Sequence, residues 1–77
     1  MKVILYVIVA LYDNTQITVA NANTWCWDDK TGALNIYDTD NKIALSIRQD
    51  EVMCVFRASG NEERDKIVDF LDNLYKK

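Results

Sequence analysis

Short polar breaks rich in Asp, Asn and Gly divide residues 2–58 into apolar runs of strand length, and from residue 61 the apolar period lengthens from two to three and four. That change of period confines the chain to a mainly β (α+β) class, about six strands followed by one C-terminal α-helix. The strands are expected within residues 2–12, 16–20, 24–28, 33–37, 42–48 and 52–58, with turns at 13–14, 29–32, 38–41 and 49–51. Residues 21–23 interrupt the pattern between the second and third runs. Residues 42–48 alternate most cleanly, with Ile43, Leu45 and Ile47 on one face and Ala44, Ser46 and Arg48 on the other. Gly32 suits the positive-φ position of a turn.

The helix, expected over about residues 61–76, carries its own boundary signals. Ser59 and Glu62 have the spacing of a capping box, and Asn61 offers an alternative cap. Glu62, Glu63 and Asp65 fill the first turn, where the helix dipole favours anions, and Lys76 and Lys77 close the other end. Ile67, Val68, Phe70, Leu71, Leu74 and Tyr75 make one broad apolar stripe that should pack on the sheet.

Six strands about 4.8 Å apart would form a flat sheet roughly 29 Å wide, against a helix about 10 Å across. One helix cannot cover Ile17, Val19, Trp25, Trp27, Leu34, Ile36, Ile43, Leu45 and Ile47 on a flat sheet. The expected solution is a strongly curved antiparallel meander packed on the helix, or a second subunit that covers the remainder. A homodimer is expected on that ground. In outline, a curled meander closed by a C-terminal helix resembles a shortened pleckstrin-homology-like domain, a resemblance of architecture that carries over no motif and no residue.

A chain of 77 residues makes a single domain, 1–77. At this size only about 60% of the unfolded surface is buried, so a partner subunit would be a natural source of extra stability. An apolar fraction of 49% and a charged fraction of 27% are those of a packed globular protein. Lys2 and the apolar residues 3–12 have the outline of a signal peptide, with Ala20-Asn21-Ala22 as a cleavage pattern. The polar stretch 13–19 and the β-branched Val3, Ile4, Val7, Ile8 and Val9 favour instead a strand covered on both faces. The run is also far short of the ~20 apolar residues of a membrane span, so no membrane association is expected.

The net charge of −3 and scattered basic residues give no footprint for direct nucleic-acid binding. The acidic residues cluster, at Asp28-Asp29, Asp38/Asp40, Asp50-Glu51 and Glu62-Glu63/Asp65. If alternate turns share one end of the sheet, Asp28/Asp29 would lie beside Asp38/Asp40. Asp38-Thr39-Asp40-Asn41 begins like a calcium loop and departs from it at Lys42 and Ile43. Cys26 and Cys54 have neither CxxC spacing nor a His to complete a metal or redox site. Each is expected as a small buried hydrophobe in a strand, and unpaired thiols suit the cytoplasm. The absence of His also removes the commonest general base, and Ser46 and Ser59 have no partner for nucleophilic chemistry. No catalytic residue, metal site or cofactor is assigned.

What remains is a non-catalytic, small acidic interaction protein that docks on a protein partner, one form of which is a stoichiometric inhibitor of a nucleic-acid-handling enzyme. Its contact residues would be Trp25 and Trp27, two indoles about 7 Å apart on one strand face, with Asp28, Asp29, Asp38, Asp40, Asp50 and Glu51. The alternative is a homo-oligomeric protein that binds and sequesters a small molecule or nucleotide in an aromatic-lined cleft. There Tyr37 would join the tryptophans as a wall, and Arg48 or Arg57 would meet an anion.

Overall fold

The run Leu5–Leu11 has apolar side chains on both faces, and the structure buries both. A computed structural model describes residues 2–76. Among them are β1 (Leu5–Leu11), β2 (Gln16–Ala20), β3 (Ala22–Asp28), β4 (Ala33–Asp38), β5 (Ile43–Arg48), β6 (Val52–Ser59) and α1 (Gly60–Tyr75). A single 3₁₀ turn, Gln49–Glu51, joins β5 to β6. The strands form two antiparallel three-stranded sheets, one in the order β2-β1-β6 and the other β3-β4-β5.

The sheets pack face to face, and α1 lies on the far side of the first, giving three layers with β1 in the middle. Val7 and Val9 face the second sheet, where they join Ala22, Leu34, Ile36 and Val52 in one core. Tyr6, Ile8 and Ala10 face the helix, with Ala58 and Leu71 in a second core. All of Tyr6–Ala10 is buried, as a two-faced apolar strand demands.

The mainly β reading and the terminal helix therefore hold, while the continuous meander and the pleckstrin-homology-like outline do not. β2 does not pair with β3, β5 does not pair with β6, and β6 returns to lie beside β1; the sheets are not closed into a barrel. The width problem is solved by folding the strand array in two, so that sheet covers sheet. Asn21 alone links β2 to β3, too short a link for a hairpin. Its left-handed φ of 58° turns the chain out of the first sheet into the second. Asn23, expected to break pairing, is instead the extra residue of a bulge within β3, where the register shifts between Ala22 and Thr24.

Left-handed residues also mark the other tight connections. Asn14 (φ 69°), Gly32 (φ 71°) and Asn41 (φ 64°) sit in the three hairpin turns, and Gly60 (φ 89°) joins β6 to α1. Asn and Gly tolerate that conformation best. Asp13, Asp28 and Asp38 open the same hairpin turns, and each carboxylate accepts a backbone N–H two residues on, from Thr15, Lys30 and Asp40.

At the helix start the expected capping box is displaced by one residue. The Ser59 side chain makes no cap bond, and Ser59 N–H donates to Glu63 Oε1 (3.2 Å), not to Glu62. Gly60 opens the helix with a positive φ and donates to the Ile4 carbonyl (2.8 Å), which shifts the reach of the first turn. Asn61 serves β1 instead, its Oδ1 accepting the Tyr6 hydroxyl at 2.6 Å, while Arg64 Nη1 donates to the same hydroxyl at 3.2 Å. The helix ends at Tyr75 with Lys76 as its C-cap; Lys77 lies outside the described residues.

The apolar stripe of α1 is wider than the surface beneath it. Leu71 is fully buried and Ile67, Val68 and Tyr75 pack around it, but Phe70 is 57% and Leu74 40% exposed. Leu71→Ala should lower unfolding free energy by about 2–5 kcal/mol, and Leu74→Ala by less than about 1 kcal/mol, in urea denaturation followed by tryptophan fluorescence. Equal effects would mean that the helix is rotated so that Leu74 is buried as deeply as Leu71.

Candidate functional site

Three connections that are distant in sequence meet at one end of the two sheets. Tyr12 N–H, just past β1, donates to the Glu51 carbonyl (3.1 Å), and Gln49 N–H donates to the Gly32 carbonyl (2.9 Å). Gln49 Nε2 adds a bond to the Ala33 carbonyl (3.0 Å), so the 3₁₀ turn is stitched to both sheets. Gly32 N–H closes the β3–β4 turn on the Asp28 carbonyl (2.8 Å). The result is a row running from Asp13 through Glu51 and Asp50 to Asp28 and Asp29.

Those turns carry five carboxylates against two cations, Arg48 and Lys30; the rest of the sequence is balanced, with seven acidic and seven basic residues. The net charge of −3 is thus carried by one end of the sheets. Asp28 and Asp13 are partly engaged in their own turns. Asp50 meets Arg48 at 3.1 Å, a pair with both side chains largely in solvent and so of little energetic weight. The C-terminal turn of α1 comes down on the same end in the helix layer, where Tyr75 OH donates to the Thr15 carbonyl (3.2 Å).

Tyr12 stands beside Asp13, Asp50 and Glu51 and is 67% exposed. Leu11, Tyr12, Asp13, Asp50 and Glu51 line a depression of about 180 Å³. Beside it Thr31, Gly32, Arg48, Gln49 and Asp50 line a second of about 330 Å³. Small-molecule sites are typically about 300–1,000 Å³ and mainly apolar. The first depression is too small for that and the second has no aromatic or aliphatic wall. Among the described residues no group of three or more His, Cys, Asp or Glu is placed to hold a metal ion.

The other acidic pair is elsewhere. Asp38 and Asp40 lie at the opposite end of β4 from Asp28 and Asp29, about 17 Å away along the strand. Asp38 Oδ1 accepts both Asp40 N–H (2.8 Å) and Lys42 N–H (3.0 Å), so it builds its turn. The expected pairing of these carboxylates with Asp28/Asp29 is therefore not made. Sequence reasoning also passed over Asp13 and Tyr12, whose signal was the Asp13-Asn14 turn that follows the longest apolar run.

The aromatic and cationic candidates separate as well. Trp25 packs into the inter-sheet core, and the Arg57 guanidinium lies 5.2 Å from its ring centroid. Arg57 Nε also donates to the Asn23 carbonyl (2.9 Å), which ties β6 to β3 across the two sheets. Trp27, two residues on, is 48% exposed at the rim. Tyr37 follows buried Ile36 on β4 and points to the outer face of the second sheet, while Arg48 belongs to the acidic end. Tyr37, Arg48 and Arg57 do not share a cleft.

The cysteines lie in different layers. Cys26 is exposed, and its cross-strand neighbour Asn35 alternates with the inward-facing Leu34 and Ile36, so it sits on the outer face of the second sheet. Cys54 packs against the helix-side core of the first. Both thiols are free.

No protein-family model, curated protein or solved structure matches this chain. Among the described residues, no helix is long and apolar enough to cross a membrane.

Burial raises the Cys54 thiol from its ordinary value of 9.0. Burial, followed by the charges of Cys54, Asp13 and Asp72, raises Tyr75 from 10.0. In both cases the folded chain holds the proton more tightly than the unfolded one. That contribution to stability is full below about pH 9 and is lost as pH climbs through the raised values. At about pH 8, iodoacetamide should modify Cys26 at least about tenfold faster than Cys54, read by peptide mass spectrometry. Equal rates would place Cys54 outside the helix–sheet core.

Proposed function

We propose that this chain is a non-catalytic docking protein whose acidic end binds a basic surface on a protein partner. The observation that carries the reading is the meeting of Asp13, Asp50 and Glu51 beside the exposed ring of Tyr12, with Asp28 and Asp29 on the neighbouring turn that Gln49 stitches to the same end. Carboxylates on turns speed encounter with a positive surface, and an exposed tyrosine ring beside them supplies a compact apolar anchor. The surface type that fits best is the basic groove of a nucleic-acid-handling enzyme, where a row of carboxylates competes with phosphates. Binding of that kind makes the chain a stoichiometric inhibitor. The two free thiols go with a reducing, cytoplasmic setting.

The test uses a triple variant, Asp29→Asn, Asp50→Asn and Glu51→Gln, which spares the turn-forming carboxylates of Asp13 and Asp28. Its charge-matched control is Asp40→Asn, Glu62→Gln and Asp69→Asn, on other parts of the surface. Immobilised wild-type and control proteins should capture the same basic protein from a lysate, and inhibit its nucleic-acid activity at a one-to-one ratio. The triple variant should bind at least about tenfold more weakly, with the difference shrinking at high salt. Equal capture by both variants, or retention of no basic protein, would sink the reading.

A further inference from the structure

Phe70 and Leu74 are the large apolar side chains of α1 that the fold leaves outside. With 3.6 residues per turn they share a flank with Glu63 and the half-buried Ile67. The opposite flank carries Asp65, Asp69 and Asp72 and faces β2, where Gln16 Nε2 donates to Asp72 Oδ1 (2.9 Å). Phe70 meets Phe56 of β6 edge-on, with ring centroids 6.4 Å apart. The apolar flank of the helix therefore overhangs the outer edge of β6.

That edge is open. Among the described residues β6 pairs with β1 alone, so its other side presents backbone N–H and C=O groups without strand partners. At eight residues it is the longest strand, it contains no proline, and Arg57 is its one charged residue. Its bulge, at Met53, is confined to the beginning and leaves residues 54–59 regular.

We propose that the occupant of this surface is a second copy of the chain. β6 pairs antiparallel with β6 of the copy, and Phe70 and Leu74 pack against their counterparts about the twofold axis. A strand paired antiparallel with itself presents the same patch from both sides, which is the geometry of a closed dimer. Charge fixes the same orientation. The acidic end lies at the start of β6, so antiparallel pairing sets the two acidic ends about 27 Å apart, more than three Debye lengths at physiological salt. Each then lies near the partner strand's far end, which carries Arg57. A parallel arrangement would oppose five carboxylates to five. The side wall made by β6 and α1 measures about 27 Å by about 15 Å, close to 400 Å² per copy and half that of a standard interface. The dimer is accordingly weak and reversible. It makes no use of the acidic end and stands or falls apart from the docking reading.

The experiment is sedimentation equilibrium on the full chain from about 10 μM to about 1 mM, with amide hydrogen exchange at both limits. The mass should rise from one chain to two and stop there, and amides within residues 54–59 should exchange more slowly at the higher concentration. Phe70→Lys with Leu74→Lys should weaken association at least about tenfold while leaving the denaturation midpoint near that of the wild type, since both side chains lie outside the core. A single-chain mass at about 1 mM would overturn the proposal and leave the surface to a different protein. So would a dimer that survives the double substitution, or β6 amides whose exchange ignores concentration; the amide readout needs no variant.

Discussion

β1 must be covered twice, and the rest of the molecule is arranged around that requirement. Its residues Tyr6–Ala10 are buried on both faces, so a single packed layer cannot satisfy it. One cover is a helix whose stripe repeats at 3.6 residues, and the other is a second sheet whose inner face repeats at two. Both covers must be carried to opposite sides of one strand by short links. Asn21 bends the chain into the second sheet, the Gln49–Glu51 turn brings it back beside β1, and Gly60 folds α1 over the other face. The hydrogen bonds from Tyr12 to Glu51 and from Gln49 to Gly32 then fix one sheet against the other at a single end. The acidic end is a consequence of this stitching.

The individual elements were legible because each is a local matter. The strand runs followed from alternation and turn chemistry, and the terminal helix from its longer period. The limits of β2 were read to the residue, and those of β4, β5 and α1 within one. Strand pairing was not legible, because alternation says which face a side chain takes and nothing about which strand lies beside it. One clue was present in the chain: the β-branched residues of the run 3–9 asked for cover on both faces. The sequence pattern places a three-residue break, 21–23, after β2, and only the structure shows the link to be Asn21 alone, too short for a hairpin turn. The capping box failed for a physical reason of the same local kind, since Gly60 enters the helix with positive φ and hands the reach-back to Glu63.

The candidate site was legible in its parts and illegible in its assembly. The acidic clusters at Asp28-Asp29 and Asp50-Glu51 stood out as charge on turns, but their meeting with Asp13 depends on the return of β6 to β1. Asp28, Asp38 and Asp13 also do two things at once: their carboxylates accept the backbone N–H groups that close their own turns. Only Asp29, Asp50 and Glu51 carry charge at that end without a turn to hold. Trp25 and Arg57 illustrate the converse. Each looks like a contact residue in the sequence, yet each is the other's partner across the sheets.

The distribution of charge bears on which edges of the sheets stay solitary. Edge strands are commonly protected by charge, proline, bulges or shortness. In the first sheet, β2 has only five residues and lies under the acidic flank of α1, held there by the Gln16–Asp72 bond. In the second sheet, β3 and β5 each carry a bulge and end in charged Asp28 and Arg48. β6 has its bulge and its neighbouring acids at one end alone, so most of its length has neither protection. Pairing two copies through that strand would leave only the short, acid-flanked β2 edges at the outside of the six-stranded sheet, so growth stops at two. It would also turn the acidic ends away from each other.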